Sequence, residues 1–183
     1  MNLYEERLNE QKKYEWLSIN NPLYGGTNHG KPFIEYILKN CYFPLIDIGC
    51  GRNNFTKLIK KNHNNAITAI GIDFAFKEAD IICSANNIPI QNNYFNTVTS
   101  FDFFEHLLED DVDYVIKEII RISNNNSLFF ATISSKDSVN RGPNGETLHP
   151  TIKNSDWWIS KFAEFNISVY IDSAGLYQGK ILK

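Results

Sequence analysis

The stretch Pro44-Leu45-Ile46-Asp47-Ile48-Gly49-Cys50-Gly51-Arg52-Asn53-Asn54 decides how this chain folds. An apolar run closes on an acid and breaks at two glycines. Phe55-Thr56-Lys57-Leu58-Ile59-Lys60-Lys61 then follows with helical spacing. That order reads as a buried strand, a tight turn and the start of a helix. In an α/β sheet such a turn receives a nucleotide-like ligand, because glycines admit close approach and free N–H groups at the helix start face it.

Upstream of this stretch, residues 2–18 place Tyr4, Leu8, Tyr14 and Leu17 at near-helical spacing and predict an amphipathic helix. A polar loop over 21–32 follows, and Pro32 opens a helix carrying Phe33, Ile34, Tyr36, Ile37 and Leu38. Downstream, strands are expected at 66–73, 79–85, 95–101 and 127–133. Residues 74–78 are too few for a crossover helix between the second and third of the chain's strands. Residues 105–122 read as a helix with an apolar face, and Asn124-Asn125-Asn126 as a turn. The polar loop 134–154 exceeds ordinary loop length and is expected to be functional. A short aromatic helix over 156–165, capped by Ser155, and a hairpin over 167–182 complete the chain. The pattern predicts one α/β domain over 1–183: three layers, a mostly parallel sheet and an antiparallel edge.

Composition narrows the function classes. Of 183 residues, 43% are hydrophobic and 14% aromatic, which supports a packed core and not disorder. A net charge of -3 supplies no positive field for nucleic acid. Cys41, Cys50 and Cys83 are odd in number and lack CxxC spacing, as in a reducing compartment. Cys50 is read as a small packing residue of the turn and not as a nucleophile. Without a leader or an apolar run approaching membrane length, the expected location is the cytoplasm, with no membrane partner. The excess of asparagine is read as compositional bias without functional content.

Asp73 lies about twenty residues past the turn, where it can accept hydrogen bonds from both hydroxyls of an adenosine ribose. A dinucleotide site wants G-x-G-x-x-G, but Gly49-x-Gly51 leads here to Asn54. Asp47, two residues before the first glycine, suits a ligand with an ammonium group better than a diphosphate. These two features weigh against a nicotinamide-dependent oxidoreductase.

Together, Asp47-x-Gly49-x-Gly51, Gly71-x-Asp73, Ile88-Pro89 with Tyr94-Phe95-Asn96-Thr97-Val98, and Phe104-Glu105-His106-Leu107 resemble a class I S-adenosylmethionine (SAM)-dependent methyltransferase. The resemblance covers residues 43–133. It implies a Rossmann-like sheet of seven strands ordered 3-2-1-4-5-7-6 with the seventh antiparallel. It also implies that Asp47 and the backbone of Gly49, Cys50 and Gly51 hold the methionine part of the cofactor. Asp73 would bind the ribose, Phe74 would lie against the adenine, and Ser84 and Ala85 would meet its edge. Phe101 would reach the cofactor from the fourth strand, and Asn28 or His29 the methionine carboxylate, from a lid formed by residues 1–40. Ser84 departs from the family's usual acid, and Asn53 from its third glycine. Asparagine tolerates left-handed dihedrals, so the turn survives that change.

For the transfer itself, Glu105, His106 and His149 are the candidate catalytic residues. Alignment does most of the work, and a base assists a hydroxyl or amine acceptor. Asp102-x-x-Glu105-His106, with His149, is also similar to the metal-ligand pattern of some ubiquinone-pathway O-methyltransferases and small-RNA 2′-O-methyltransferases. A divalent ion is the lesser reading; none is assigned. Expected partners are a small-molecule or sugar-like acceptor, with S-adenosylhomocysteine (SAH) as product and a monomer or homodimer as the assembly. A non-catalytic SAM-binding module is the alternative.

Overall fold

The computed structural model describes residues 2–27, 29–63 and 68–183. Seven strands form one sheet: β1 Leu45–Ile48, β2 Ala69–Asp73, β3 Ile81–Ile82, β4 Phe95–Phe101, β5 Ser123–Thr132, β6 Ile167–Ile171 and β7 Tyr177–Ile181. Their order is β3-β2-β1-β4-β5-β7-β6. The pairs β1–β2, β1–β4, β2–β3 and β4–β5 are parallel, and β7 runs antiparallel to both β5 and β6. The antiparallel strand thus lies one place in from the edge, where a hairpin from β6 inserts it beside β5.

Alternation along the strands sends residues to opposite faces, and helices cover both. Ile46, Ile48, Val98 and Phe129 point to the face packed by α4 (Glu109–Ile122) and α5 (Ser155–Glu164). Leu45, Phe101 and Phe130 point to the other, with Ile37 of α2 (Ile34–Asn40) and Phe55 and Ile59 of α3 (Asn54–Asn62). In α4 the buried residues Val112, Val115, Ile116, Ile119 and Ile122 recur every three or four positions. That stripe is what a helix lying on a sheet requires. Trp158 and Phe162 of α5 are fully buried, in the same cluster.

Several elements differ from their sequence reading. The helix expected over 105–122 breaks into a short 3-10 turn, Phe104–His106, and α4. Leu107 and Leu108 between them are extended, because the Leu107 carbonyl accepts from Thr151 Oγ1 at 2.7 Å and the Glu105 carbonyl from Thr151 N at 3.3 Å. The long loop takes the bonds that would have continued a helix. Asn124-Asn125-Asn126 is not a turn between elements but a bulge inside β5, whose pairing with β4 jumps from Ser123 to Leu128. The third strand keeps only two residues, Ile81 and Ile82. Ala66 and Ile67, the first residues expected in the second strand, lie outside the described residues. Helix α1 runs over Leu3–Asn20, but Tyr4 and Leu8 are exposed and only Tyr14 and Leu17 of its stripe are buried. Pro32 sits in a 3-10 turn just before α2. The cap of α5 is Asn154, whose side chain accepts from Trp157 N, and Ser155 is the first helical residue.

Asparagine has a use the composition does not reveal. Among the described residues, five non-glycine residues have positive φ, and four of them are Asn53, Asn93, Asn126 and Asn166. Asn53 (φ 61°) turns the chain left-handed just before α3, at the position where the resemblance implies a third glycine. Its buried side chain donates to the Glu78 carbonyl at 3.2 Å and to Asp80 Oδ2 at 3.0 Å, and it accepts from Thr56 Oγ1. Gly71 on β2 leaves room for it: a Cβ there would stand 2.1 Å from Asn53 Oδ1 and 2.9 Å from Cys50 Cβ. We expect Gly71→Ala to lower stability by about 3 kcal/mol, the top of the overpacking range, since both neighbours are fixed. Thermal unfolding would register a fall of roughly 6–12 °C. A fall under 2 °C would mean that the turn yields freely.

Candidate active site

The strand ends converge on one cavity of about 1040 Å³, at the C-terminal edge of the parallel strands. Asp47 of β1, the turn residues Gly49, Cys50 and Gly51, Asp73 of β2, and Phe101 of β4 all line it. So do Phe74, Ser84, Ala85, His29, His106 and His149. Among the described residues singled out from sequence, only Glu105 is not part of this lining; it is fully buried.

The glycine turn is held by its neighbours. Gly51 N donates to Asp73 Oδ2 at 3.0 Å, and Ala75 N donates to Asp73 Oδ1 at 2.9 Å. Asp73 is pushed up by burial and pulled back by the amides of Ala75, Gly51, Phe76 and Phe74, leaving its carboxyl above the usual range. Asp47 is almost fully buried, and Thr99 Oγ1 donates to its Oδ1 at 2.8 Å. Burial raises the Asp47 carboxyl to about 7, against the Thr99 bond and with help from the Asp73 charge. Burial drives the Cys50 thiol well above its ordinary range, which removes it as a nucleophile at neutral pH.

The loop before α2 closes directly on this turn. Arg52 N donates to the Gly25 carbonyl at 2.8 Å and Asn54 Nδ2 to the Gly26 carbonyl at 2.7 Å. The Arg52 guanidinium bonds the Tyr24 carbonyl at 3.1 Å, the Ser18 carbonyl at 3.2 Å and Glu78 at 2.9 Å. One side chain therefore ties α1, the loop and the segment after β2 together. Gly25 and Gly51 touch: a Cβ on Gly51 (φ 52°) would stand 2.6 Å from the Gly25 carbonyl. His29 does not stand free to meet a ligand, since its Nδ1 pairs with Asp102 Oδ2 at 2.8 Å. That bond raises the His29 pKa. Burial alone would raise Asp102, but bonds from His29 and Thr132 outweigh it and lower the carboxyl. Asn28 lies outside the described residues.

Beyond the turn, the cavity runs to a histidine pair. His106 and His149 meet edge to face with ring centroids 4.7 Å apart. His106 Nδ1 faces the Leu148 carbonyl at 2.7 Å and Tyr14 Oη at 3.0 Å. Burial first, and His149 second, lower the His106 pKa to about 4, so the ring is neutral at pH 7. Burial, reinforced by the Asp102 charge, raises Glu105 to about 8. Ligand atoms of Glu105, His106 and His149 all lie within 4.8 Å of one another. Asp102 does not join them; with φ 50° it turns to His29 and to Thr132 Oγ1, which donates at 2.6 Å. The four-residue set suggested by sequence is thus reduced to three.

The wall residues not singled out as site residues from sequence include Tyr14, Tyr24, Phe76 and Phe103. Tyr14 was read only as part of the α1 stripe, yet its hydroxyl donates to the Leu148 carbonyl at 2.8 Å and reaches His106. Tyr24 and Phe76 meet at a tilt beside the turn, ring centroids 6.1 Å apart. Phe103 covers Gly49, where a Cβ would stand 2.3 Å from its ring. The aromatic at position 103, next to Asp102, was the available signal. Tyr14 offered none, because its partners are 92 and 134 positions away.

Comparison with known proteins agrees with this geometry. A family model described as a methyltransferase domain matches residues 46–131. No curated protein matches the chain by sequence. Among solved structures, a Burkholderia thailandensis 1,6-didemethyltoxoflavin-N1-methyltransferase, with bound 1,6-didemethyltoxoflavin and SAH, superposes with a TM-score of 0.76. It is 8% identical, over 100% of this chain and 92% of that one. A SAM-dependent methyltransferase from Aquifex aeolicus gives 0.61 at 16% identity, over 94% and 98% of the two chains. The [4+2]-cyclase SpnF gives 0.64 at 13% identity, over 87% and 73%, so the fold by itself does not fix the chemistry. Strand order, the acid-flanked glycine turn and the domain model matched over residues 46–131 make this chain similar to the class I SAM-dependent methyltransferases.

Proposed function

We propose that the chain methylates a small polar acceptor, at oxygen or nitrogen. Asp73 receives the ribose hydroxyls of SAM; Asp47 and the Gly49–Gly51 backbone hold its methionine end. Phe74, Ser84 and Ala85 take the adenine, Phe101 lies along the cofactor, and His106 and His149 face the acceptor. The observation that carries this reading is the placement of two acids, buried Asp47 and partly buried Asp73, at the ends of adjacent parallel strands. They share one cavity with the glycine turn between them. Each acid suits one polar end of SAM, a cationic ammonium and a neutral diol, and neither suits a diphosphate.

The cavity also has room for a second molecule. At about 1040 Å³ it sits at the upper end of small-molecule pockets, which run roughly 300–1000 Å³. Its outer wall carries Arg7, Glu10, Gln11, Lys136, Asp137 and Asn140, a polar surface of mixed charge. Glu10 and Asp137 repel a phosphodiester chain and accept hydrogen bonds from hydroxyls or amines, which supports a small polar acceptor over nucleic acid. Among the described residues no helix is long and apolar enough to cross a membrane. Calorimetric titration with SAH, SAM and NAD is the direct test. Binding of SAH and SAM without NAD is expected, and preference for NAD would overturn the reading. Transfer of labelled methyl to hydroxyl and amine acceptors then separates an enzyme from a silent binding module.

Asp47 gives this function a pH signature. Its carboxyl titrates near 7 in the free protein. The ammonium of the ligand favours the carboxylate, so its pKa falls in the complex and a proton leaves on binding. Affinity for SAH therefore rises about tenfold from pH 6 to pH 8 and flattens above. Asp47→Asn binds more weakly and shows no such slope; a slope that persists in this variant assigns the proton elsewhere.

A further inference from the structure

We propose that the main-chain carbonyl of Leu148, held in place by Tyr14, fixes the tautomer of His106 and leaves Nε2 of that ring to take the acceptor's proton. The proton-taking half of this proposal rests on the methyltransferase reading; the tautomer half does not. Three groups from distant segments meet at one point: α1, the short turn Phe104–His106 and the long loop after β5. Tyr14 Oη donates to the Leu148 carbonyl at 2.8 Å, and His106 Nδ1 lies 2.7 Å from the same oxygen. Tyr14 Oη and His106 Nδ1 are 3.0 Å apart. The ring is neutral at pH 7 and has one N–H, so two arrangements compete. With the proton on Nδ1, both donors serve the two lone pairs of the carbonyl. With it on Nε2, Tyr14 must turn its proton to Nδ1, and the carbonyl loses both donors. An unpaired buried acceptor costs more than one bond returns, so the first arrangement wins.

The carbonyl itself is firmly placed. The Leu148 side chain is fully buried and packs with Tyr14 and Leu17 of α1. On one side of it, Lys13 Nζ donates to the Thr147 carbonyl at 2.8 Å; on the other, Thr151 Oγ1 donates to the Leu107 carbonyl at 2.7 Å. Residues 147–151 therefore clasp α1 to the turn that carries His106. Burial first, and Tyr24 second, raise the Tyr14 pKa well above its ordinary value, so its hydroxyl stays a donor. With Nδ1 taken up against Leu148 and Tyr14, Nε2 is the nitrogen this ring offers the cavity it lines. A base oriented by a fixed third group is poised for proton transfer. In the reaction, the proton of a hydroxyl or amine acceptor passes to Nε2. The acceptor's electron pair forms the bond to CH₃, and the S–CH₃ pair returns to sulfur, giving SAH. The Leu148 carbonyl dipole steadies the imidazolium until its proton passes to water. Tyr14 and Leu148 act through His106 and are positioning residues.

The test is ¹H–¹⁵N spectroscopy of the full chain at pH 7, with its four histidines labelled in the ring. His106 is assigned by the signals lost in His106→Gln. The proton is expected on Nδ1, with Nε2 at the shift of a bare nitrogen. Tyr14→Phe keeps the ring but drops one donor, and exchange of the Nδ1 proton with water should quicken at least about tenfold, the scale of one hydrogen bond. A Tyr14 that only packs would leave that rate unchanged. SAH titration of every sample reports folding and separates the two readings. A proton on Nε2 of the parent overturns the tautomer assignment, whether or not Tyr14→Phe folds. An unchanged exchange rate in folded Tyr14→Phe overturns the part given to Tyr14. A parent with the proton on Nδ1 that binds no SAH keeps the tautomer and sinks the methyltransferase reading, and with it the task of Nε2.

Discussion

Replacing Asp73 by alanine is expected to weaken SAH binding at least about a hundredfold, with a far smaller effect on unfolding. Asp73 closes β2 at the sheet's C-terminal edge and lines the cavity. Its oxygens already accept from the Gly51 and Ala75 amides, which fixes the carboxylate before any ligand arrives. Its remaining lone pairs are the ones a ribose diol would use. Two bonds to a charged acceptor are worth about 1.5–3 kcal/mol each, so losing both costs roughly 3 kcal/mol or more. Each 1.4 kcal/mol is tenfold in affinity, which sets the hundredfold scale. Asp73→Asn restores shape but sets an amide nitrogen where a backbone donor or a ribose hydroxyl needs an acceptor, and recovers little. Calorimetry would show it directly; an alanine variant within threefold of the parent would remove Asp73 from the site.

How far sequence reaches can be seen by comparing Asn53 with Asp102. The left-handed turn at Asn53 was legible because asparagine stood where a glycine-like conformation was needed, inside a local pattern. Asp102 was not legible: its φ of 50° and its bond to His29 depend on a loop far away in the chain. The same division runs through the fold. Periodicity found α4, but it could not show where the helix starts, because Thr151, from the long loop, takes the bonds of Glu105 and Leu107. Three consecutive asparagines read locally as a turn. They sit instead in a bulge of a strand paired on both sides, with Leu128 against Thr97 of β4 and Lys180 of β7. In the candidate site, the ends of β1, β2 and β4 were found because acids and glycines mark them. Tyr14 was missed because its contact with His106 exists only once α1 is laid across the cavity. Local chemistry announces the end of the site proposed for the cofactor, and tertiary packing makes the end proposed for the acceptor.

Phe104→Ala is expected to lower stability by about 4 kcal/mol. The ring is fully buried and lies at the centre of an aromatic cluster. Phe162 stands 5.2 Å away, Phe103 5.5 Å, Trp158 5.7 Å and Phe129 6.2 Å, centroid to centroid. These partners come from β5, α5 and the residue just before the turn, so the ring joins the sheet to the helix that covers it. Removing a buried phenyl costs about 3–5 kcal/mol, and a cavity walled by other rings collapses poorly. At roughly 2–4 °C per kcal/mol, thermal unfolding should drop by roughly 8–16 °C. Phe104→Leu keeps most of the volume and should recover more than half of that. The position also matters to chemistry, because Phe104 begins the turn that carries Glu105 and His106. A loosened turn lets those two side chains drift while Asp47 and Asp73, on β1 and β2, stay in place. Below the lowered melting point, the alanine variant should therefore bind SAH within about threefold of the parent and transfer methyl at least tenfold more slowly. If SAH affinity falls as far as turnover, Phe104 supports the whole cavity, and the division between a cofactor end and an acceptor end fails.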